Sequence, residues 1–318
     1  MAIIARSNAE VLIPEQESRQ IIQEVATSSV ALRLGNKMPN MTSKQLKIPV
    51  MTGSVTAGFI NGDTGLKPTS NMTWDKVYIT AEELAVIVPI PEAVLDDADY
   101  DIFGEVKPRI VEAFGKAIDG AIFHSINKPD SWPVGLVPGA IAAGKKIALG
   151  DDLYQNINGE KGVIALIEES GVAVNSYVGA LQLRAKLRGA VDANKQPIFR
   201  AAYSNGANGR MGYELNGTAI EFPENGSFDG NQALLLAGNF NYMRYAIRQD
   251  ITYKILDQAS ITDETGKVVL NLAQQDCVAL RAVMRLGWAL PKPVNPISGL
   301  DYYPFAVLTP AEAAAAAE

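Results

Sequence analysis

Val278-Ala279-Leu280-Arg281-Ala282-Val283-Met284-Arg285-Leu286-Gly287-Trp288-Ala289-Leu290 sustains a two-residue alternation for thirteen positions. Successive side chains of a strand point to opposite faces. Val278, Leu280, Ala282, Met284, Leu286, Trp288 and Leu290 therefore share one face, and Arg281 and Arg285 stand on the other. Few strands run so long, and Pro291-Lys292-Pro293 ends this one. An apolar strand face needs a partner layer. The best candidate is Asp96 to Ile126, where Phe103, Val106, Ile110, Phe114, Ala117, Ile118, Ala121 and Ile122 recur at spacings of three and four. Even-numbered strand residues should pack on this helix, leaving the odd-numbered face to solvent, a charged partner or a neighbouring subunit. Pro108 either kinks the helix or opens it.

Outward from this pair, Glu15 to Leu34 reads as a helix, entered at Pro14 and stopped at Gly35-Asn36. Leu46 to Val50, Lys76 to Ile79 and Leu84 to Ile90 read as strands. Thr52 to Asn71, with Asn61-Gly62 and Thr64-Gly65, is too long for a plain loop in a packed domain. A two-stranded arm is the better reading. Isolated hairpins are marginal in water, so its burial is expected on another subunit. Between Lys128 and Asn241 signals alternate quickly: Val163 to Glu169 and Tyr177 to Leu187 read as helices, and Tyr213 to Phe222 as a hairpin around Asn216-Gly217. This reads as an inserted α+β unit. Ile251, Tyr253 and Ile255 mark another strand, and the tail Ala311 to Glu318 is low-complexity.

Composition narrows the chemistry. The chain has 318 residues, 47% hydrophobic and 20% charged, with one Cys, one His and a net charge of -7. At this length about two domains are expected, with enough core to need no staples. Cys277 alone excludes an internal disulfide framework. Cys277 and His124 together are too few for a Cys/His zinc site. A Ser-His or Cys-His pair has only His124 to draw on. The negative balance argues against a protein that holds nucleic acid by neutralising phosphates. No signal peptide is visible at the N-terminus, the longest apolar runs are strand-sized, and a soluble intracellular product is expected. The sequons at Asn40, Asn71 and Asn216 are then chance matches.

Candidate motifs fail on their chemistry. Gly139 to Lys146 approaches a phosphate-binding loop, but Lys146 stands where the magnesium-holding hydroxyl belongs, so a glycine-rich surface loop is expected. Asp97, Asp99 and Asp101 open like a calcium loop, which then needs Gly at Ile102 and Glu at Pro108; acidic residues at a helix N-terminus fit better. Gly206 to Gly212 has the wrong spacing for a dinucleotide fingerprint and reads as a flexible loop. His124 is expected to meet the last carbonyls of the long helix. Arg281 and Arg285 suit an anionic ligand, an interface or an ion pair within the sheet. No catalytic, cofactor or metal site emerges.

The order of elements and their local sequences resemble the major capsid proteins of tailed bacteriophages of the Hong Kong ninety-seven fold. Leu12-Ile13-Pro14-Glu15, Ile21-Ile22 and Ser28-Ser29-Val30 are similar to the family's N-terminal arm. Met38-Pro39, Lys47 to Val50, Phe59, Asp63, Lys76 to Thr80 and Val88 to Asp97 are similar to its extended loop and the lead into its spine helix. Ala117-Ile118-Asp119, Ile122-Phe123 and Trp132 to Leu136 are similar to the helix end and crossover. Leu187 to Phe199 and Leu215 to Gly217 are similar to its axial domain. Gly238 to Phe240, Arg248 to Thr252 and Arg281 to Trp288 are similar to its returning peripheral strands.

The resemblance implies an α+β fold with an N-terminal arm (1–42), an extended β-hairpin loop (43–91), and a peripheral domain of spine helix and long strands (92–130 and 245–308). An axial domain (131–244) and a tail (309–318) complete it. It implies a non-enzymatic subunit without cofactors, forming hexamers and pentamers in an icosahedral virion shell assembled in the host cytoplasm. That shell encloses DNA without sequence-specific binding, touches no membrane, and works with portal and decoration proteins. The arm begins almost at Met1, so any scaffold is expected as a separate protein or not at all. Phe59, Asp63, Lys67, Trp74, Arg281 and Arg285 are the expected inter-subunit contacts. Some members join Lys to Asn between subunits; Lys67 and Lys76 lie in the arm, but no motif assigns the partners. The alternative is an encapsulin-like nanocompartment holding cargo enzymes. A nucleotide-binding enzyme rests on Gly139 to Lys146 alone.

Overall fold

A computed structural model describes residues 29–60, 66–67, 69–96, 101–190, 199–205, 211–262 and 265–311. Most of the expected N-terminal helix thus lies outside the described residues. Its end is α1 (Val30–Leu34), which Gly35 closes with φ -73. This glycine answers crowding and not a left-handed turn: a Cβ there would sit 2.2 Å from Met243 Cε.

β1 (Asn36–Lys37), β2 (Gln45–Met51), β3 (Trp74–Thr80) and β4 (Glu82–Pro91) follow, then α2 (Glu92–Asp96) and the long α3 (Ile102–His124). Pro108 sits inside α3 and does not open it. Its missing N–H leaves the Gly104 carbonyl to water, and both residues are exposed, so the helix continues. After α3 come α4 (Leu136–Ala142), β5 (Lys146–Ala148), α5 (Leu153–Asn158), α6 (Val163–Glu168), β6 (Ser176–Gly179) and α7 (Leu181–Gly189). β7 (Arg200–Asn205), β8 (Met211–Leu215), β9 (Thr218–Glu221) and β10 (Leu235–Gly238) lead to the long β11 (Arg244–Leu256). β12 (Ser260–Thr262), β13 (Val268–Asn271), β14 (Cys277–Ala289) and β15 (Phe305–Thr309) end the chain.

One sheet has the order β1-β11-β14-β4, antiparallel except for the β1–β11 pair. Leu280, Met284, Leu286 and Trp288 of β14 share a core with Ile110, Phe114, Ile118 and Ile122 of α3, as the alternation requires. The other face departs from expectation. Ala279, Val283 and Ala289 are buried as well, and on that face of β14 only Arg281 is exposed and Arg285 half-buried. At Ala279 and Ala289 two hairpins cause this by lying over the ends of the strand. β2–β3 brings Ile48, Val50 and Ile79 against Ala246 and Ala289, while β12–β13 brings Leu270 and Leu272 to Ala279. At Gly287 the fit is tight enough to exclude a side chain: a Cβ would lie 2.3 Å from the Thr80 carbonyl oxygen.

The second sheet has seven strands, β5-β15-β10-β6-β9-β8-β7. Tyr177 to Gly179, expected to be helical, belong to its strand β6, and the helix begins only at Leu181. The run Ser176-Tyr-Val-Gly is buried throughout, which hides a strand's alternation. Alternate residues still part to opposite layers. Val178, Leu236, Phe305 and Val307 join α4 and the α3 core, while Tyr177, Leu235, Ala306 and Leu308 join α5, α6 and α7. Asn216 (φ 54) and Gly217 (φ 72) form the expected tight turn between β8 and β9.

Residues 82–91 pair with β14 in the four-stranded sheet, Glu82 to Pro91 registering against Leu286 to Cys277. Residues 305–309 form β15, between β5 and β10 of the seven-stranded sheet.

Candidate functional site

The site is a surface, built first from the β2–β3 strap. Its strands pair from Gln45↔Thr80 to Met51↔Trp74. Beyond them Thr52 N donates to Thr73 O (2.9 Å) and Thr56 N to Ser70 Oγ (2.9 Å), which keeps the two sides together. One face carries Ile48, Val50 and Ile79 into the body. Leu46 and Val77 are partly buried beside them, but among the described residues the far side lacks cover: Phe59 is 107% exposed, Leu66 97% and Trp74 60%, with Val55 and Tyr78 also open. Each large apolar side chain left in water forgoes about 1.5–3 kcal/mol of burial. Such residues clustered in one segment mark an interaction surface.

The second part is the open window of the four-stranded sheet between the two hairpins. Arg285 donates from Nη2 (2.6 Å) and Nε (2.8 Å) to Glu83 Oε2, its cross-strand partner on β4. This is an ion pair within the sheet. Arg281 stands between Ile87 on β4 and Lys254 on β11. Like charges opposite one another oppose pairing, and among the described residues no carboxylate forms a salt bridge with Arg281. Of the six expected contact residues, Phe59, Lys67 and Trp74 thus lie on the strap, all exposed, and Arg281 and Arg285 on the window. Asp63 lies outside the described residues.

One polar residue that the sequence reading gave no role holds the N-terminal side in place. Asp119, wholly buried on α3, accepts from Ser29 Oγ (2.6 Å), Ala31 N (2.9 Å) and Val30 N (3.0 Å). Asn225 Nδ2 and Ser227 Oγ approach it at 3.4 Å. Burial pushes this carboxyl above its ordinary value, against the pull of the hydrogen bonds from Ser29, Ala31, Val30 and Asn225. A signal existed: Asp119 is the one polar residue between Ala117 and Phe123.

His124 does not meet the helix carbonyls. Its Nε2 accepts from Asp229 N (3.1 Å), so Nδ1 carries the proton and donates to Gln232 Oε1 (3.2 Å). Phe228 packs edge-on against the ring. Burial lowers its pKa, opposed by Gln232 and Asp229. The ring fastens the 228–232 turn to α3.

Gly139 lies inside α4, so the expected surface loop is largely helix, and Lys145 Nζ caps Leu166 O at 2.8 Å. Asp101 precedes α3 without a side-chain cap, while Asp97 and Asp99 fall outside the described residues. Among the described residues no group of His, Cys, Asp or Glu is placed to hold a metal, and no helix is long and apolar enough to cross a membrane.

Residues 9–299 match the phage capsid family. The chain is 30% identical over 270 residues to the major capsid protein of Staphylococcus phage 80alpha, covering 84% of this chain and 78% of that one. A solved chain from Microbacterium phage Oxtober96 superposes with TM-score 0.74 at 35% identity, over 97% of this chain and 100% of that one. The capsid of an empty GTA particle shares the fold at 18% identity, TM-score 0.60, over 90% of each chain. The chain belongs to the phage capsid family.

Proposed function

We propose that this capsid shell protein acts as the major capsid subunit, closing head-to-tail into hexamers and pentamers that tile an icosahedral shell around phage DNA. Heterologous contacts of this kind form rings when the rotation closes. The observation that carries the reading is the strap, whose Phe59, Leu66 and Trp74 are exposed, with no cover among the described residues. In this reading the four-stranded sheet with α3 is the peripheral domain of a Hong Kong ninety-seven fold, and the seven-stranded sheet is the axial domain. The strap of one copy laps the window of the next, and Arg281 and Arg285 meet it there. Many modest contacts of this kind add up by multivalency. Assembly in the host cytoplasm, with a scaffold, portal or decoration proteins, belongs to the same reading. A cargo nanocompartment is not favoured, since the curated relatives matched are major capsid proteins, one of them described as probable.

Electron microscopy of the purified protein tests this directly. Closed shells or rings are expected; monomers at high concentration under every salt and pH tried overturn it. Limited proteolysis between residues 52 and 71 should be fast in free subunits and suppressed in particles.

A further inference from the structure

His124 is the only imidazole of the chain, and it ends α3 at a junction. Between β9 and β10 the chain crosses past β6, from Phe222 to Leu234. On its way this crossover rests on α3, the helix of the four-stranded sheet. Phe228 and Ala233 enter the core that α3 shares with β14, and Phe228 packs edge-on against both Phe123 and the His124 ring. Two polar residues of α3 fasten the same stretch: Asp119 faces Asn225 and Ser227, and His124 holds Asp229 and Gln232. The crossover thus ties the seven-stranded sheet to the helix of the other.

The His124 bond depends on the charge of the ring. The Asp229 N–H, 3.1 Å away, can only donate, so Nε2 must offer it a lone pair. A proton on Nε2 removes that lone pair and sets two N–H groups against each other. The Gln232 contact survives, since Nδ1 donates in either state. Among the described residues the charged groups about the crossover are three. Asp229 accepts from Asn231 N (2.9 Å), Asp119 lies five residues back on α3, and Lys116 Nζ would stand 3.8 Å from a Cβ at Gly226. We infer that His124 is an acid-sensitive latch, which holds the 225–232 crossover on α3 while neutral and releases it on taking up a proton. Burial keeps its pKa below the ordinary value, against the pull of Gln232 and Asp229. The open state is then the easier one to protonate. The latch holds fully above about pH 6.5 and weakens as pH falls below that.

Hydrogen exchange of the full-length protein, corrected for the intrinsic effect of pH on exchange, tests this. From about pH 7.5 to about pH 5, amides 225–232 should lose protection by about tenfold, while those of β10 and β15 keep theirs. His124→Gln offers an amide oxygen to the Asp229 N–H without titrating, so its protection there should stay level over the same range. Gln232→Glu sets a carboxylate against Nδ1–H and stabilises the imidazolium in place, so the loss should shrink to about a third or less. Asp119 and Asp229 remain in both variants, which separates their titration from that of the ring. Unchanged protection of the native crossover at low pH, or the full loss in His124→Gln, overturns the inference. Should His124→Gln not fold, an undiminished loss in Gln232→Glu overturns it instead. The latch lies within one chain, so the outcome does not depend on shells forming.

Discussion

β14 and the strap are both antiparallel β structure with apolar residues at alternate positions, yet they meet their burial differently. β14 is covered on one face by α3 and at both ends of the other by hairpins, so most of its side chains are satisfied inside the chain. The strap buries one face at its base and leaves Phe59 and Leu66 in water. Apolar content is thus a poor guide to stability on its own. What matters is whether the covering layer belongs to the same molecule.

The largest effect should come from placing a charge where β14 is fully covered. Leu286→Asp loses about 2–5 kcal/mol of packing and adds the cost of a buried charge, against a total stability of about 5–15 kcal/mol. No folded soluble subunit is expected, by circular dichroism and melting. Next is the point where the two regions touch. Gly287→Val forces a side chain into the Thr80 carbonyl, lifting the strap base from the sheet at about 1–3 kcal/mol or more. The melting temperature should fall by several degrees, with faster hydrogen exchange at Ile79 and Ile48; exchange unchanged there would mean that the strap is not seated through this contact.

Arg285→Glu should do less to the subunit. The pair with Glu83 is partly exposed (40% and 46%), and such pairs are worth about 0–1 kcal/mol. Folding should persist with a melting shift of a few degrees at most, while particle yield drops. Unfolding would show that the window is core. Smallest for the subunit is Phe59→Ser, at a side chain fully exposed among the described residues, which should move stability by no more than about 0.5 kcal/mol. Particles seen by microscopy should nevertheless be lost or weakened. Wild-type yield from this variant would move the strap out of the assembly surface.

The sequence made the long pieces legible, because period has time to declare itself over thirteen or twenty residues. The inward face of β14 and the stripe on α3 could be read this way, while the strap was read from the length of Thr52 to Asn71 and its turn pairs. Short buried strands could not. Ser176 to Gly179 and Phe305 to Thr309 are covered on both sides, so polarity does not alternate even though their side chains do. The second cover on β14 was illegible for another reason: Ala279 and Ala289 are small residues that fit either solvent or a packed hairpin, and only the chain's path decides. Asp119 looked like an ordinary helix polar residue until the segment from Ser29 to Ala31 came to rest on it.

The placement of β15 carries a consequence for how the molecule is made. It is the last strand among the described residues, yet it occupies an interior position between β5 and β10 and pairs in parallel with β5, about half the sequence earlier. Pairing over such separation is slow to form. It also cannot begin until Phe305 to Thr309 have been synthesised. A chain cut short before them would still display the strap with its exposed Phe59 and Leu66, but its seven-stranded sheet would be split, with β5 stranded from β10. The strand order therefore ties closure of the seven-stranded sheet to the synthesis of one late segment, Phe305 to Thr309.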